Sequence, residues 1–234
     1  MISAKRAIFF LSILMCISII GVAGVKSRAA ASVSAGSSRR PVVIVDAGHG
    51  GFDGGAVAFD GTVEKDINLK IALILRDFLT QGGYEVLMTR ESDDSTDDVG
   101  DKPIAARKKS DLQNRLKLME KYPDAVFVSI HLNKFTTSAA SGTQVFCGPK
   151  NDESALLGKC IQNSVTSLLQ KENHRVIKKA TSNNFLLYRA KIPAVIVECG
   201  FISNKSELAK LKNPEYQAQM AFAVYTGILE YNSK

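Results

Sequence analysis

VVIVDAGHGGFDGGAV, residues 42–57, joins a short β-branched run to a loop that holds five glycines. The run 42–46 is typical of a buried strand, and the loop contains His49, one of only three histidines in the chain. Glycines at this density allow either a phosphate-binding turn or a tight backbone turn around a metal ligand. The phosphate alternative fits poorly, because no lysine–serine or lysine–threonine pair follows the glycines and the spacing departs from a dinucleotide-binding loop.

Strand and helix patterns alternate along the rest of the chain. AVFVSI (125–130) and AVIV (194–197) are continuous or nearly continuous apolar runs, as expected of strands that helices cover on both faces. We therefore expect an α/β fold: a single domain with a mostly parallel, twisted central sheet flanked by helices. The predicted strands are 42–46, 84–89, 125–130, 143–147 and 194–197, and the predicted helices are 64–80, 104–121, 154–170, 206–211 and 216–231.

Residues 1–35 have the pattern of an export signal. Lys5 and Arg6 precede a run of nineteen residues without a charge, and small residues follow this run. A run of this length also approaches that of a membrane-spanning helix. A cleaved signal peptide and a retained membrane anchor therefore both stay open. Residues 36–40 have the composition of a linker, and residues 41–234 form the predicted domain.

Charge and cysteine content narrow the class of protein. The formal net charge is +7, but four basic residues and no acid precede residue 36, so the remainder carries only +3. Such a mild charge suits an anionic wall polymer or a membrane surface, and it argues against nucleic acid as a partner. Cys147, Cys160 and Cys199 are odd in number and lack a C-x-x-C pair, which argues against a dense disulfide framework and predicts small buried hydrophobic side chains.

Polar residues stand where the predicted strands end. His131 follows the run 125–130, and Glu198 follows the run 194–197. Sites in open α/β sheets gather at the carboxyl ends of strands. Glu64 opens the first helix after the glycine loop, so it can return toward His49. Each residue also has an ordinary explanation, such as a hydrogen-bonded histidine or a glutamate that complements a helix dipole.

Taken together, these residues indicate a hydrolytic zinc site. Zinc prefers imidazole nitrogen and carboxylate oxygen, and its hydrolytic sites keep three protein ligands. His49, Glu64 and His131 supply that set for one zinc ion. Glu198 is the candidate catalytic base, because a carboxylate directly after a buried strand is costly to bury without a purpose.

Four stretches in this order resemble the zinc-dependent N-acetylmuramoyl-L-alanine amidases of bacterial cell walls, the amidase type 3 family. They are VDAGHGGFDGGAV, VEKDINL, FVSIHLN and PAVIVECGFISN. The resemblance runs from about Pro41 to Tyr231 and implies that residues 41–234 are a zinc amidase catalytic domain. It implies zinc ligation by His49, Glu64 and His131 and catalysis by Glu198. Arg115 falls where the family has a helical arginine, which gives it a structural or substrate-binding role, and Asn133 is expected to line the substrate groove.

The CGPKN stretch at 147–151, ECGF and the short chain without wall-binding repeats look most like the germination-specific amidases of endospore-forming bacteria. This likeness implies removal of stem peptides from spore-cortex glycan, so that a polysaccharide deacetylase can help to form muramic-δ-lactam. It places the exported protein in the space between the forespore membranes. Some family members depend on another protein for activity, so a protein activator is a further expectation.

The implied reaction is hydrolysis of the amide bond between the lactyl carboxyl of N-acetylmuramic acid and L-alanine in peptidoglycan. Glu198 would take a proton from water and pass it to the departing nitrogen. Cys199 should point to the opposite face of its strand, which argues against a thiol mechanism. Two alternatives stay open: a zinc peptidase that acts on stem peptides, and a non-catalytic wall-binding protein with the same fold.

Overall fold

The structure is a computed structural model that describes residues 40–234. Within these residues one six-stranded sheet has the strand order β2-β1-β3-β6-β4-β5. All neighbouring strands pair in parallel except β4 and β6, which are antiparallel. The expected mostly parallel sheet is therefore confirmed. The strands are β1 (Val42–Ala47), β2 (Glu85–Met88), β3 (Val126–Asn133), β4 (Gln144–Cys147), β5 (Lys178–Lys179) and β6 (Ala194–Phe201).

Helices cover both faces of this sheet. Alternate side chains of β1 show why: Val43 and Val45 belong to one hydrophobic core, and Ile44 belongs to a second core on the opposite face. The first core receives α1, α3, α5 and α6, and the second receives α2 and α4. The helices are α1 (Glu64–Gln81), α2 (Ile104–Lys121), α3 (Glu153–Leu168), α4 (Phe185–Arg189), α5 (Lys205–Leu211) and α6 (Pro214–Asn232).

Two strands are longer than their apolar runs predict. β3 continues through Asn133 and β6 through Phe201, so His131 and Glu198 lie inside strands rather than after them. The two residues are Cα partners in the β3–β6 ladder, and the register shifts just beyond them, between His131 and Asn133. His131 and Glu198 line the site, so polar side chains replace the apolar pattern while the strands still pair.

Cys147, Cys160 and Cys199 are all buried, which confirms the expectation of buried side chains, and in the described region all three are free thiols. Among residues 40–234, no helix has the length and apolar character required to cross a membrane. The predicted export signal (1–35) and linker residues 36–39 lie outside the described residues.

Candidate metal centre

Two glycines of the loop after β1 make room for the site. A Cβ at Gly48 would lie 2.2 Å from Nε2 of His131, so only glycine lets the backbone pass against that imidazole. Gly55 has a φ of 70°, and a Cβ there would lie 2.6 Å from both the Glu64 carboxylate and the His49 ring. The glycines of this loop therefore let the backbone lie close to the side chains of His49, Glu64 and His131.

Those three side chains meet at the carboxyl edge of the sheet. Oε1 of Glu64 lies 3.0 Å from Nδ1 of His131 and 3.4 Å from Nε2 of His49. The two imidazoles meet edge to face with their centroids 4.9 Å apart. One donor atom from each residue falls within 4.8 Å of the others, so the group could hold a metal ion.

The Glu64 carboxylate is fully engaged by the protein. Oε2 accepts from the backbone N–H of Ala56 at 2.8 Å, and Oε1 accepts from that of Leu132 at 3.0 Å and from the Asn68 amide at 3.2 Å. Burial opposes the charge of this residue, which is only 3 % exposed, but hydrogen bonds and charges from both histidines hold its pKa well below the ordinary value. Glu64 is therefore an anion fixed in place.

His49 is oriented by a carboxylate of its own loop. Its Nδ1 lies 2.9 Å from Oδ2 of Asp53, and the other Asp53 oxygen meets Nζ of Lys108 at 3.0 Å and the backbone N–H of Gly55 at 3.3 Å. Burial opposes protonation, but the bonds to Asp53 and Glu64 outweigh it and raise the pKa of His49 to about 9. Nε2 is left to face Glu64 and the metal position. Sequence reasoning missed this role of Asp53.

The backbone of His49 has a φ of 64°, a left-handed conformation that costs energy in a residue with a side chain. Arg115 helps to hold it, since its guanidinium donates to the His49 carbonyl at 2.7 Å and to the Ala47 carbonyl at 3.2 Å. The same guanidinium pairs with the carboxylates of Asp46 and Asp111. Arg115 is only 2 % exposed. Its surroundings correspond to the structural role and leave no surface for the substrate-binding one.

Arg90 also binds backbone carbonyl groups of this turn. Its Nε donates to the carbonyl of Ala47 at 2.8 Å, and its Nη2 donates to the carbonyls of Gly48 at 3.1 Å and Lys65 at 2.9 Å. Two buried arginines thus bind the backbone carbonyl groups of Ala47, Gly48 and His49. Neither contact has a local sequence signal, because the partners are distant along the chain.

Glu198 differs from the other polar residues of the site. It is partly exposed, yet its Oε2 is buried and has no hydrogen-bond partner within the described residues. Burial raises its pKa to about 7, against an opposing contribution from His131. Cys199 lies in the core on the opposite face, where burial raises the pKa of its thiol. The expected orientation of Cys199 is confirmed.

The donor set suits zinc. Two imidazole nitrogens and one carboxylate oxygen form a recurrent ligand set of hydrolytic zinc sites. Hydrolysis at such a site also needs a group for proton transfer, and Oε2 of Glu198, unpartnered among residues 40–234, is available for it. Asn133, also predicted from the sequence, is half-buried two residues beyond His131 at the end of β3.

The family model for N-acetylmuramoyl-L-alanine amidase matches residues 43–230. The chain belongs to this family. The germination-specific amidase of Bacillus subtilis strain 168 is 37 % identical over 190 residues, which cover 81 % of this chain and 79 % of that one.

Solved amidases share the fold. The CwlD amidase from Clostridioides difficile, solved in complex with the GerS lipoprotein, matches with a TM-score of 0.79 and 39 % identity, covering 83 % of this chain and 99 % of that one. AmiC2 of Nostoc punctiforme matches with a TM-score of 0.71 and 28 % identity, covering 83 % and 98 %. The chain is therefore an amidase, and family membership supports peptidoglycan as its substrate.

Proposed function

We propose that this amidase is zinc-dependent and cleaves the bond between N-acetylmuramic acid and L-alanine, with one zinc ion held by His49, Glu64 and His131. The observation that carries the proposal is the cluster of three donor atoms within 4.8 Å, together with a buried oxygen of Glu198 that has no partner in the described part of the chain. Neither a peptidase nor a wall-binding protein has comparable support, because the family model describes an amidase.

Zinc at this position would polarise the amide carbonyl and lower the pKa of water. The chain supplies the rest. Glu198 accepts the proton of the attacking water on its free oxygen and then delivers it to the departing alanine nitrogen. In the metal-free chain, burial raises the pKa of this carboxyl toward the range in which a group can both take and give a proton at neutral pH. Asp53 holds the His49 ring, and Asn133 is proposed to contact the substrate.

We also propose that the protein is exported and removes stem peptides from spore-cortex glycan, together with a polysaccharide deacetylase, towards muramic-δ-lactam. The name of the Bacillus subtilis relative refers to germination, which supports this role. The site of action would be the space between the forespore membranes. The complex of the Clostridioides difficile amidase with a lipoprotein supports a protein activator for this chain too.

Metal content and product analysis test the core of the proposal. The purified domain should hold about one zinc ion per chain, and the metal should be lost in His49→Ala. Mass spectrometry of digested peptidoglycan should show whole stem peptides with a new L-alanine amino terminus. Peptides cut internally would favour the peptidase, and a folded, metal-loaded domain that leaves peptidoglycan intact even with a candidate activator would overturn the amidase proposal.

A further inference from the structure

Polar side chains form a row across three neighbouring strands at the edge of the sheet. His131 on β3 is the Cα partner of Glu198 on β6, and Glu198 is the partner of Gln144 on β4. Partners in adjacent strands project from the same face, with Cβ atoms about 5 Å apart. The row therefore leads from the metal centre past Glu198 to Gln144.

Arg175 continues this row. Its Nη1 lies 3.5 Å from Oε1 of Gln144, its Nε donates to the carbonyl of Ser141 at 2.7 Å, and its guanidinium stacks 4.8 Å from the centroid of the Phe201 ring. These contacts fix the plane of the guanidinium before any ligand arrives. Within residues 40–234, no carboxylate lies within ion-pair distance of it, so its charge is open to an anion from outside.

The guanidinium opens into a groove of about 550 Å³, which we call the Arg175 groove. Glu207 contributes an acid to its wall, but the Glu207 oxygens accept from the backbone N–H groups of Gly142 at 2.9 Å and Phe201 at 2.8 Å. Glu172 also lines the groove, so an entering anion meets two acids and three cations, Lys171, Arg175 and Lys210. The lining includes Ser141, Asn173, Arg175, Ser206, Lys210 and Tyr216.

The direction of the reaction decides which part of the substrate reaches this groove. Glu198 delivers a proton to the departing nitrogen, and that nitrogen belongs to the peptide. A peptide that extends from the metal past Glu198 runs toward Gln144, the next side chain of the row. Strands are about 4.8 Å apart and an extended residue advances about 3.4 Å. Arg175, one side chain beyond Gln144, then lies within reach of the residue after L-alanine.

We propose that Arg175 binds a free carboxylate on the residue that follows L-alanine in the stem peptide, and so selects acidic peptides as substrates. The inference rests on the proposed function, because it uses the direction of proton delivery by Glu198. A stacked guanidinium presents two parallel N–H groups to a carboxylate, which gives both strength and geometric selectivity.

The test compares two soluble glycan fragments whose stem peptides differ only after L-alanine, with a free carboxylate in one and its primary amide in the other. Arg175→Gln should raise KM for the carboxylate fragment by about 10- to 100-fold with little change in kcat. It should leave the amide fragment unaffected, and Arg175→Lys should recover part of the loss. The matched control is Arg189→Gln, since Arg189 also stacks on a phenylalanine, Phe185, but lies on α4 outside the row.

An equal loss on both fragments, or no loss on either, would overturn the inference. Zinc content and melting temperature of each variant separate damage to the fold from loss of recognition. Wild-type enzyme that cleaves neither fragment would count against the proposed function instead. Fluorescence titration of free stem peptide, as carboxylate or amide, into Glu198→Gln and into Glu198→Gln combined with Arg175→Gln would then decide the role of Arg175 without turnover. Equal affinities in the two proteins would overturn it.

Discussion

Glu64 and Glu198 both reach the metal centre, but their carboxylates have opposite surroundings. Glu64 accepts hydrogen bonds from two backbone N–H groups and an amide, and its pKa is held low. Glu198 keeps a buried oxygen that has no partner among residues 40–234, and burial raises its pKa to about 7. The same residue type is thus a permanent anion at one position, while at the other it can take up or release a proton near neutral pH.

The difference arises from backbone geometry. Glu64 begins α1 and turns its carboxylate back onto the glycine loop and β3, where unpaired N–H groups are available. Glu198 lies inside β6, where the ladder already uses the nearby backbone groups. The charged groups that act on its side chain are His131, Glu64 and His49, and the Glu64 carboxylate opposes ionisation. These two environments suit the proposed roles of metal ligand and base.

Exchanging each carboxylate for an amide should separate the two roles, and this is the largest effect we expect. Glu198→Gln should keep zinc and lose activity by about 10²- to 10⁴-fold, because a neutral amide cannot accept the proton. Glu64→Gln should lose both, since its amide N–H₂ would face the donor of Ala56 or Leu132 and leave no anion for the metal. Zinc analysis with peptidoglycan turnover checks both variants.

Circular dichroism of each variant checks that the loss of zinc or activity does not come from a damaged fold. Zinc retained in Glu64→Gln, or wild-type turnover in Glu198→Gln, would show that the two carboxylates do not divide the work in this way.

Much of this site can be predicted from the sequence, because its residues lie next to segments with clear strand or helix patterns. Apolar runs and helical spacing predict the core strands and the long helices, and His49, Glu64 and His131 follow from their positions beside those elements. β5 and α4, with two and five residues, are too short to produce periodicity. The ends of β3 and β6 are wrong in the prediction, because polar side chains at the site interrupt the apolar pattern while strand pairing continues.

What the sequence could not predict is the support around the ligands. Arg90 donates to the carbonyl of Ala47 and Arg115 to that of His49, 43 and 66 residues away, and no spacing rule connects these positions. Asp53 is the exception that could have been found. Histidine ligands commonly donate the N–H of their second ring nitrogen to a carboxylate. Asp53 is an acid four residues beyond His49 in the same glycine loop.

The next largest effect we expect concerns Asp53, the carboxylate that orients His49. Asp53→Asn should weaken zinc binding by about 10- to 100-fold, because the ring of His49 loses the charge that fixes its orientation. Competition with a fluorescent chelator measures the affinity. Saturating zinc should restore turnover, since Glu198 is unchanged. Lys109→Gln is a matched control beside Lys108 on the exposed face of α2. Equal zinc affinity in wild type and Asp53→Asn would show that His49 needs no such support.

The smallest effect concerns the pH dependence of stability in the zinc-free protein. The pKa of Glu198 rises from an ordinary 4.5 to about 7 on folding. Below pH 4.5 both states carry the proton, and the contribution to stability is fully present. Between pH 4.5 and 7 the unfolded chain ionises first, so the folded state loses stability, and above 7 the loss is complete. Because the residue is partly exposed, the loss should be on the order of 1–2 kcal/mol.

Chemical denaturation of chelator-treated wild type and Glu198→Gln from pH 5 to pH 8 isolates this contribution. His49, with a pKa of about 9, also loses favourable charge as the pH rises, but it is present in both proteins and largely cancels in their difference. The stability of Glu198→Gln relative to wild type should therefore increase with pH up to about 7 and then level off. Parallel curves would mean that Glu198 is already ionised without cost, and the contrast with Glu64 would then rest on hydrogen bonding alone.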